Sequence, residues 1–148
     1  IEPSLPAKTR ASVLREMVQL AVKTGRVWDA PRLLASLEAR EALSPTGMPG
    51  GLALLHTRQP EDYLFESQFI VLGRTVQEVP FGAPDGRATD LFFLLACPDE
   101  GLHLHTLARL CLLATATDLL TRLRTAADAR EMYDCLVAAE QEVLVQQR

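Results

Sequence analysis

Apolar positions recur along the chain with two different periods. From Thr9 onward Val13, Leu14, Met17, Val18 and Ala21 fall at the spacing that lines one face of a helix. Thr9 offers an N-cap oxygen, Lys23 falls in the last turn and Gly25 supplies the stop. A second helix is predicted from Asp29, a cap followed by Ala30-Pro31, to about Ala42; Leu33, Leu34 and Leu37 form its buried stripe, and Arg32, Glu38 and Glu41 its outer face. Ser44 to Gly51 is dense in proline and glycine and reads as a loop of constrained turns. The run Leu52-Ala53-Leu54-Leu55 then predicts a buried strand that delivers His56 to its end.

Gln59 to Ser67 is polar and reads as a loop, Phe69 to Leu72 as a second strand, and Val76 to Pro80 as a further strand candidate. Leu91 to Cys97 is apolar without alternation, the pattern of a strand covered on both faces and therefore central. Three helices are predicted to follow: Leu102 to Ala114; a short one from Thr117 or Asp118 through Leu123; and about Ala127 to Val145, with Met132, Leu136, Val137, Val143 and Leu144 on one side. Helices, strands, then helices, around a strand buried on both faces, give a sheet packed between helical layers.

Composition adds exclusions. The 148 residues are 48% hydrophobic and 23% charged, which suits one globular domain with a core large enough to fold without disulfides or metal. A net charge of -4 leaves no basic face for a phosphate backbone, which argues against direct nucleic-acid binding. No apolar run approaches the roughly 18 residues of a membrane span, so no membrane insertion is expected. Three cysteines, Cys97, Cys111 and Cys135, lack C-x-x-C spacing, which points to a reducing, cytoplasmic setting. No signal-peptide pattern is visible, and the start at Ile1-Glu2-Pro3, without methionine, predicts a segment cut from a longer polypeptide or one that lost a leader.

Candidate chemistry is sparse. His56, just past a strand, and His103, near the start of a helix that follows a strand, fall at junctions, where α/β folds place their sites; on periodicity alone, a surface or satisfied core histidine is the commoner outcome. His103 and His105, two apart on a helix, diverge by about 200°, so one ring at most can face a site, and a shared metal is disfavoured. Gly47, Gly50 and Gly51 match neither the Walker nor the dinucleotide pattern and read as tight turns. There is no G-x-S-x-G elbow, and Cys97 reads as core.

Taken together, the segment from Leu37 to Arg58, the turn Val79-Pro80-Phe81-Gly82-Ala83-Pro84-Asp85-Gly86, the run Asp90 to Ala96 and the stretch His103-Leu104-His105-Thr106-Leu107 resemble the enzyme IIA domains of the fructose/mannitol and nitrogen-related (type 2) branch of the sugar phosphotransferase system. The resemblance spans nearly the whole chain. It implies an α/β fold with a mixed central β-sheet sandwiched between helical layers. It also implies a phosphocarrier in which His56 is the phosphoryl acceptor, His103 the second active-site histidine, and Arg40 the arginine that holds the phosphoryl group. Thr46 and Arg58 correspond to further phosphate-binding positions.

Each of these has a structural alternative: Arg40 as the charge neutralising its helix's C-terminal end, Thr46 as a turn residue. The sequence departs from the family pattern at Leu55, where proline usually precedes the active histidine, and at Pro49-Gly50, in place of Gly-Asn or Gly-Glu.

The implied donor is HPr or its nitrogen-branch relative, and the implied acceptor a IIB domain or a regulatory target, with no metal or organic cofactor. An apolar patch for the transient partners is expected around His56, with Leu55 and Met48 as candidates. The alternative function is a regulatory, protein-binding IIA-like domain attached to a transporter or transcription regulator, with phosphorylation altered or lost. A metal-dependent hydrolase built on the histidines is a third reading.

Overall fold

The computed structural model describes residues 1–57 and 66–147. Most of the predicted polar loop at 59–67, and Arg58, lie outside the described residues. Five strands form one sheet: β1 (Glu2–Leu5), β2 (Gly47–Met48), β3 (Leu52–Leu55), β4 (Phe69–Val79) and β5 (Thr89–Ala96), in the order β1-β4-β5-β3-β2. The sheet is mixed. β5 runs antiparallel to β4 but parallel to β3, and β1 lies parallel to β4.

The helices are α1 (Arg10–Val22), α2 (Ala30–Leu43), α3 (Glu100–Ala116), α4 (Leu119–Thr125) and α5 (Ala129–Gln146). Local chemistry fixes their starts. Thr9 and Ser12 form a reciprocal capping box on α1, and Asp29, Asp99 and Asp128 each accept from a backbone N–H in the first turn of α2, α3 and α5.

Strand parity explains the uninterrupted apolar runs. Ala53, Leu55, Phe92, Leu94 and Ala96 pack with Val13, Met17, Leu33 and Leu37 of α1 and α2. Leu52, Leu54, Leu91, Phe93 and Leu95 pack on the other face with Leu110, Leu113, Leu123 and Met132 of the remaining helices. β3 and β5 therefore each feed two cores, and β5, between β4 and β3, is the central strand that its sequence predicts.

Several expectations change. Val76 to Pro80 belongs to no separate strand: β4 runs unbroken from Phe69 to Val79, with an irregularity in its pairing between Arg74 and Val79. The strands β1 and β2 escape a pattern reading because they are short and hold only one buried residue each. On α5, Val137 and Leu144 are exposed, and Ala139 joins Met132 and Val143 in the core instead. Glu41 is not on the outer face of α2 but 5% exposed. Its position, one helical step of four beyond Leu33 and Leu37, continues their buried stripe.

Phe92, fully buried, meets Phe81 edge-on with ring centroids 5.1 Å apart. Truncation to Phe92→Ala should destabilise the domain by about 3–5 kcal/mol, measured by denaturant unfolding. A loss under about 1 kcal/mol would show that this core collapses freely around the missing ring.

Candidate active site

β3 and β5 lie side by side in parallel, Leu52 opposite Leu91 through Leu55 opposite Leu94, so both end at the same edge of the sheet. The chain leaving β3 presents His56 there; the chain leaving β5 turns through Pro98 and Asp99 into α3 and presents His103. Paired carboxyl ends of parallel strands are where open α/β sheets hold ligands. Continued alternation after Leu52 and Leu54 sends the His56 side chain toward the α3 side. The two imidazoles accordingly meet there, ring centroids 5.2 Å apart and tilted by 56°.

Each ring is oriented by backbone. His56 Nδ1 lies 2.8 Å from the carbonyl oxygen of Leu54. A carbonyl only accepts, so Nδ1 carries the proton and Nε2 keeps its lone pair. His103 is 9% exposed. Its position is fixed by the Asp99 cap, whose carboxylate accepts from Leu102 N at 2.7 Å while the Asp99 carbonyl accepts from His103 N at 2.9 Å. His105, exposed, points elsewhere: it lines an apolar cleft of about 500 Å³ between α3 and α5 with Leu110, Tyr133 and Val137.

Burial lowers the pKa of His56 below the ordinary 6.5; the Leu54 hydrogen bond opposes this, and the nearby positive charge of Arg40 reinforces it. Burial also lowers that of His103, aided by His56 and opposed by Glu100. Both shifts favour the neutral ring near pH 7.

Arg40, in the last turn of α2, donates from Nη1 to the carbonyl of Ser44, the C-cap residue, at 2.8 Å. It thus closes its helix while its charge reaches His56, so the two roles open to it from sequence are compatible. The next residue, Glu41, accepts from the backbone N–H of Thr46 at 3.1 Å and from its hydroxyl. Glu41 is the site-proximal residue that the sequence reading misplaces.

The departures from the family pattern fall in different places. Leu55 adjoins His56 but is fully buried in the α1/α2 core, so it is no docking residue; Met48 is half-buried against the other core. Exposed apolar side chains on the site's elements include instead Leu43, 61% exposed at the end of α2, and Leu102 and Leu104 flanking His103, the latter 60% exposed. Pro49-Gly50 turns the chain from β2 into β3, at the opposite end of β3 from His56. Gly50 is held there by Asp85, which accepts from its N–H at 3.0 Å, and by Arg124, which donates to its carbonyl and ion-pairs Asp90 at 2.8 Å. At Gly51, with φ of +79°, a Cβ would lie 2.5 Å from Arg124 Nη2.

Among the described residues no three His, Cys, Asp or Glu gather as metal ligands would, and no helix is long and apolar enough to cross a membrane.

The model of the phosphoenolpyruvate-dependent sugar phosphotransferase system EIIA 2 family matches residues 1–139. The chain belongs to this EIIA type-2 family. Relatives of this EIIA domain include a nitrogen regulatory protein of Bradyrhizobium diazoefficiens, 31% identical over 140 residues (92% of this chain, 88% of the relative), and one of Pseudomonas aeruginosa, 29% identical over 136 residues (90% and 86%). Among solved structures, the nitrogen regulatory protein IIA-Ntr of Neisseria meningitidis superposes with a TM-score of 0.79 at 26% identity, covering 90% of each chain. IIA mannitol of Escherichia coli, solved in complex with phosphorylated IIB mannitol, shares the fold, with a TM-score of 0.77 at 20% identity and coverage of 91% and 92%.

With its folded pKa below 6.5, His56 binds fewer protons than it does in the unfolded chain, so its contribution to stability is lost as pH falls below 6.5. Arg40→Ala removes the repelling charge and should move the His56 titration midpoint upward, read from its ring resonances by NMR. An unmoved midpoint would place Arg40 outside electrostatic reach of the ring.

Proposed function

We propose that this EIIA domain is a phosphocarrier in which His56 accepts a phosphoryl group from the phosphohistidine of HPr or its nitrogen-branch relative. The observation that carries the reading is the neutral His56–His103 pair at the shared end of β3 and β5, with Nδ1 of His56 committed to the Leu54 carbonyl. Nε2 attacks phosphorus as the donor's N–P bond breaks, and the electron pair of that bond returns to the donor imidazole. As the new N–P bond forms, the His56 ring takes on positive charge, which the Nδ1–H···O bond stabilises.

A loose in-line transition state needs alignment and charge compensation more than covalent help. Arg40 offers its remaining guanidinium N–H groups to the phosphoryl oxygens, and His103 donates a hydrogen bond to one of them or holds His56 in line. Arg58 is retained as a candidate phosphate contact on the family resemblance alone. Leu43 and Leu104 supply apolar contact for the transient partners.

Two outlets for the phosphoryl group follow from the relatives. The IIA mannitol complex favours onward transfer to a IIB domain, and the nitrogen regulatory relatives favour a regulatory output on a transporter or transcription factor. A cytoplasmic setting, where phosphorylated HPr is available, belongs to the same proposal.

Incubation of the purified domain with phosphorylated HPr, and separately with the nitrogen-branch donor, should give acid-labile phosphate located on His56 by mass spectrometry. His56→Ala abolishes the label, and His103→Ala slows labelling by about 100-fold or more, the scale of losing a positioned donor. Label that persists in folded His56→Ala, or no label from either donor, overturns the proposal.

A further inference from the structure

Arg40 and Glu41 are consecutive, yet they grip the same short segment from two sides. Arg40 Nη1 donates to Ser44 O at 2.8 Å, and the Glu41 carboxylate accepts from Thr46 N at 3.1 Å and from Thr46 Oγ1. Glu41 and Thr46 are both buried, at 5% and 8% exposure, so neither bond is shared with bulk water. The segment they hold leads straight into β2, where Gly47 pairs with Ala53 in the middle of β3. Gly47 has no room to drift: a Cβ there would lie 2.8 Å from the carbonyl oxygen of Phe81. With the far end of the segment fixed in the sheet, the Glu41–Thr46 contact sets where Ser44 O lies, and Ser44 O is what Arg40 closes onto.

We infer that Glu41 and Thr46 form a positioning pair that holds the Arg40 guanidinium on the α2–β2 linker for phosphoryl transfer at His56, so that the Thr46 hydroxyl serves the reaction by anchoring that linker to Glu41 rather than by contacting the phosphoryl group. The inference rests on the phosphocarrier reading of His56, but the placement of Arg40 is also visible without any transfer. Arg40's charge opposes protonation of His56, so release of Arg40 registers as an upward move of the His56 titration midpoint.

A buried carboxylate on two hydrogen bonds is costly to delete, so the test uses its partner. Thr46→Val keeps the shape and removes the hydroxyl; Thr46→Ser keeps the hydroxyl. Both are compared with wild type and Arg40→Ala, with Glu41→Gln as a second probe, in samples whose amide spectra confirm the fold. Two quantities are read: the NMR titration midpoint of His56, and kcat/KM for phosphoryl acceptance from phosphorylated HPr.

Thr46→Val should move the midpoint in the same direction as Arg40→Ala and lower kcat/KM by about tenfold, since small misplacements of a positioning group cost up to about 100-fold. Thr46→Ser should restore both. In the Arg40→Ala background Thr46→Val should change neither, because the residue it positions is gone. A folded Thr46→Val with an unmoved His56 midpoint overturns the inference, as does an effect of equal size with and without Arg40. If phosphorylated HPr labels no variant and not the wild type, the phosphocarrier reading fails, while the His56 midpoints still decide the coupling between Thr46, Glu41 and Arg40.

Discussion

The parallel pairing of β3 with β5, Leu52 beside Leu91 through Leu55 beside Leu94, brings two strand ends to one edge of the sheet and thereby two histidines, 47 residues apart in sequence, into ring contact. That pairing depends in turn on burial from both sides. Odd and even positions of β5 enter different cores, Phe92 and Leu94 against α1 and α2, Leu91, Phe93 and Leu95 against α3 to α5. A slip of one residue would exchange the two sets of side chains and rotate His56 away from α3. The network of Arg124, Asp90, Gly50 and Asp85 fastens the opposite end of the same strands, so register is held at both ends of β3.

At the open end, geometry and electrostatics agree. A histidine that is to act as a nucleophile near neutrality must be unprotonated, and burial and a neighbouring guanidinium both push His56 that way. In the proposed transfer the same guanidinium that opposes protonation of His56 attracts the phosphoryl group, so one positive charge favours both the neutral ring and the anion it would receive. The local hydrogen bond to Leu54 adds direction, since it fixes which ring nitrogen is free.

Much of this was legible in the sequence because its causes are local. The unalternated run from Leu91 to Cys97 marks a strand with two covered faces, the capping residues Thr9 and Asp29 mark helix starts, and the glycine- and proline-rich segment before Leu52 marks the approach to the site. What escaped depends on tertiary partners. Arg74 interrupts an apolar strand because its guanidinium donates to the carbonyls of Leu123 and Ala126 at the end of α4, a contact no spacing announces. β1 and β2 exist as edge pairings, not as hydrophobic patterns. Glu41 is the instructive case: its place in the stripe of Leu33 and Leu37 was readable, but a charged residue there is tolerated only because Thr46 returns to meet it. Leu55 shows the reverse, an apolar residue next to His56 that serves the core instead of a partner.

In the proposed transfer, backbone geometry at the end of β3 leaves Nε2 of His56 as the nucleophile. Phosphorus–nitrogen correlation by NMR on the domain, specifically labelled with nitrogen-15 in histidine and phosphorylated by phosphorylated HPr, tests it most directly. Phosphorus should couple to Nε2 of His56, with Nδ1 still protonated. Coupling to Nδ1, or to any ring nitrogen other than those of His56, would contradict it.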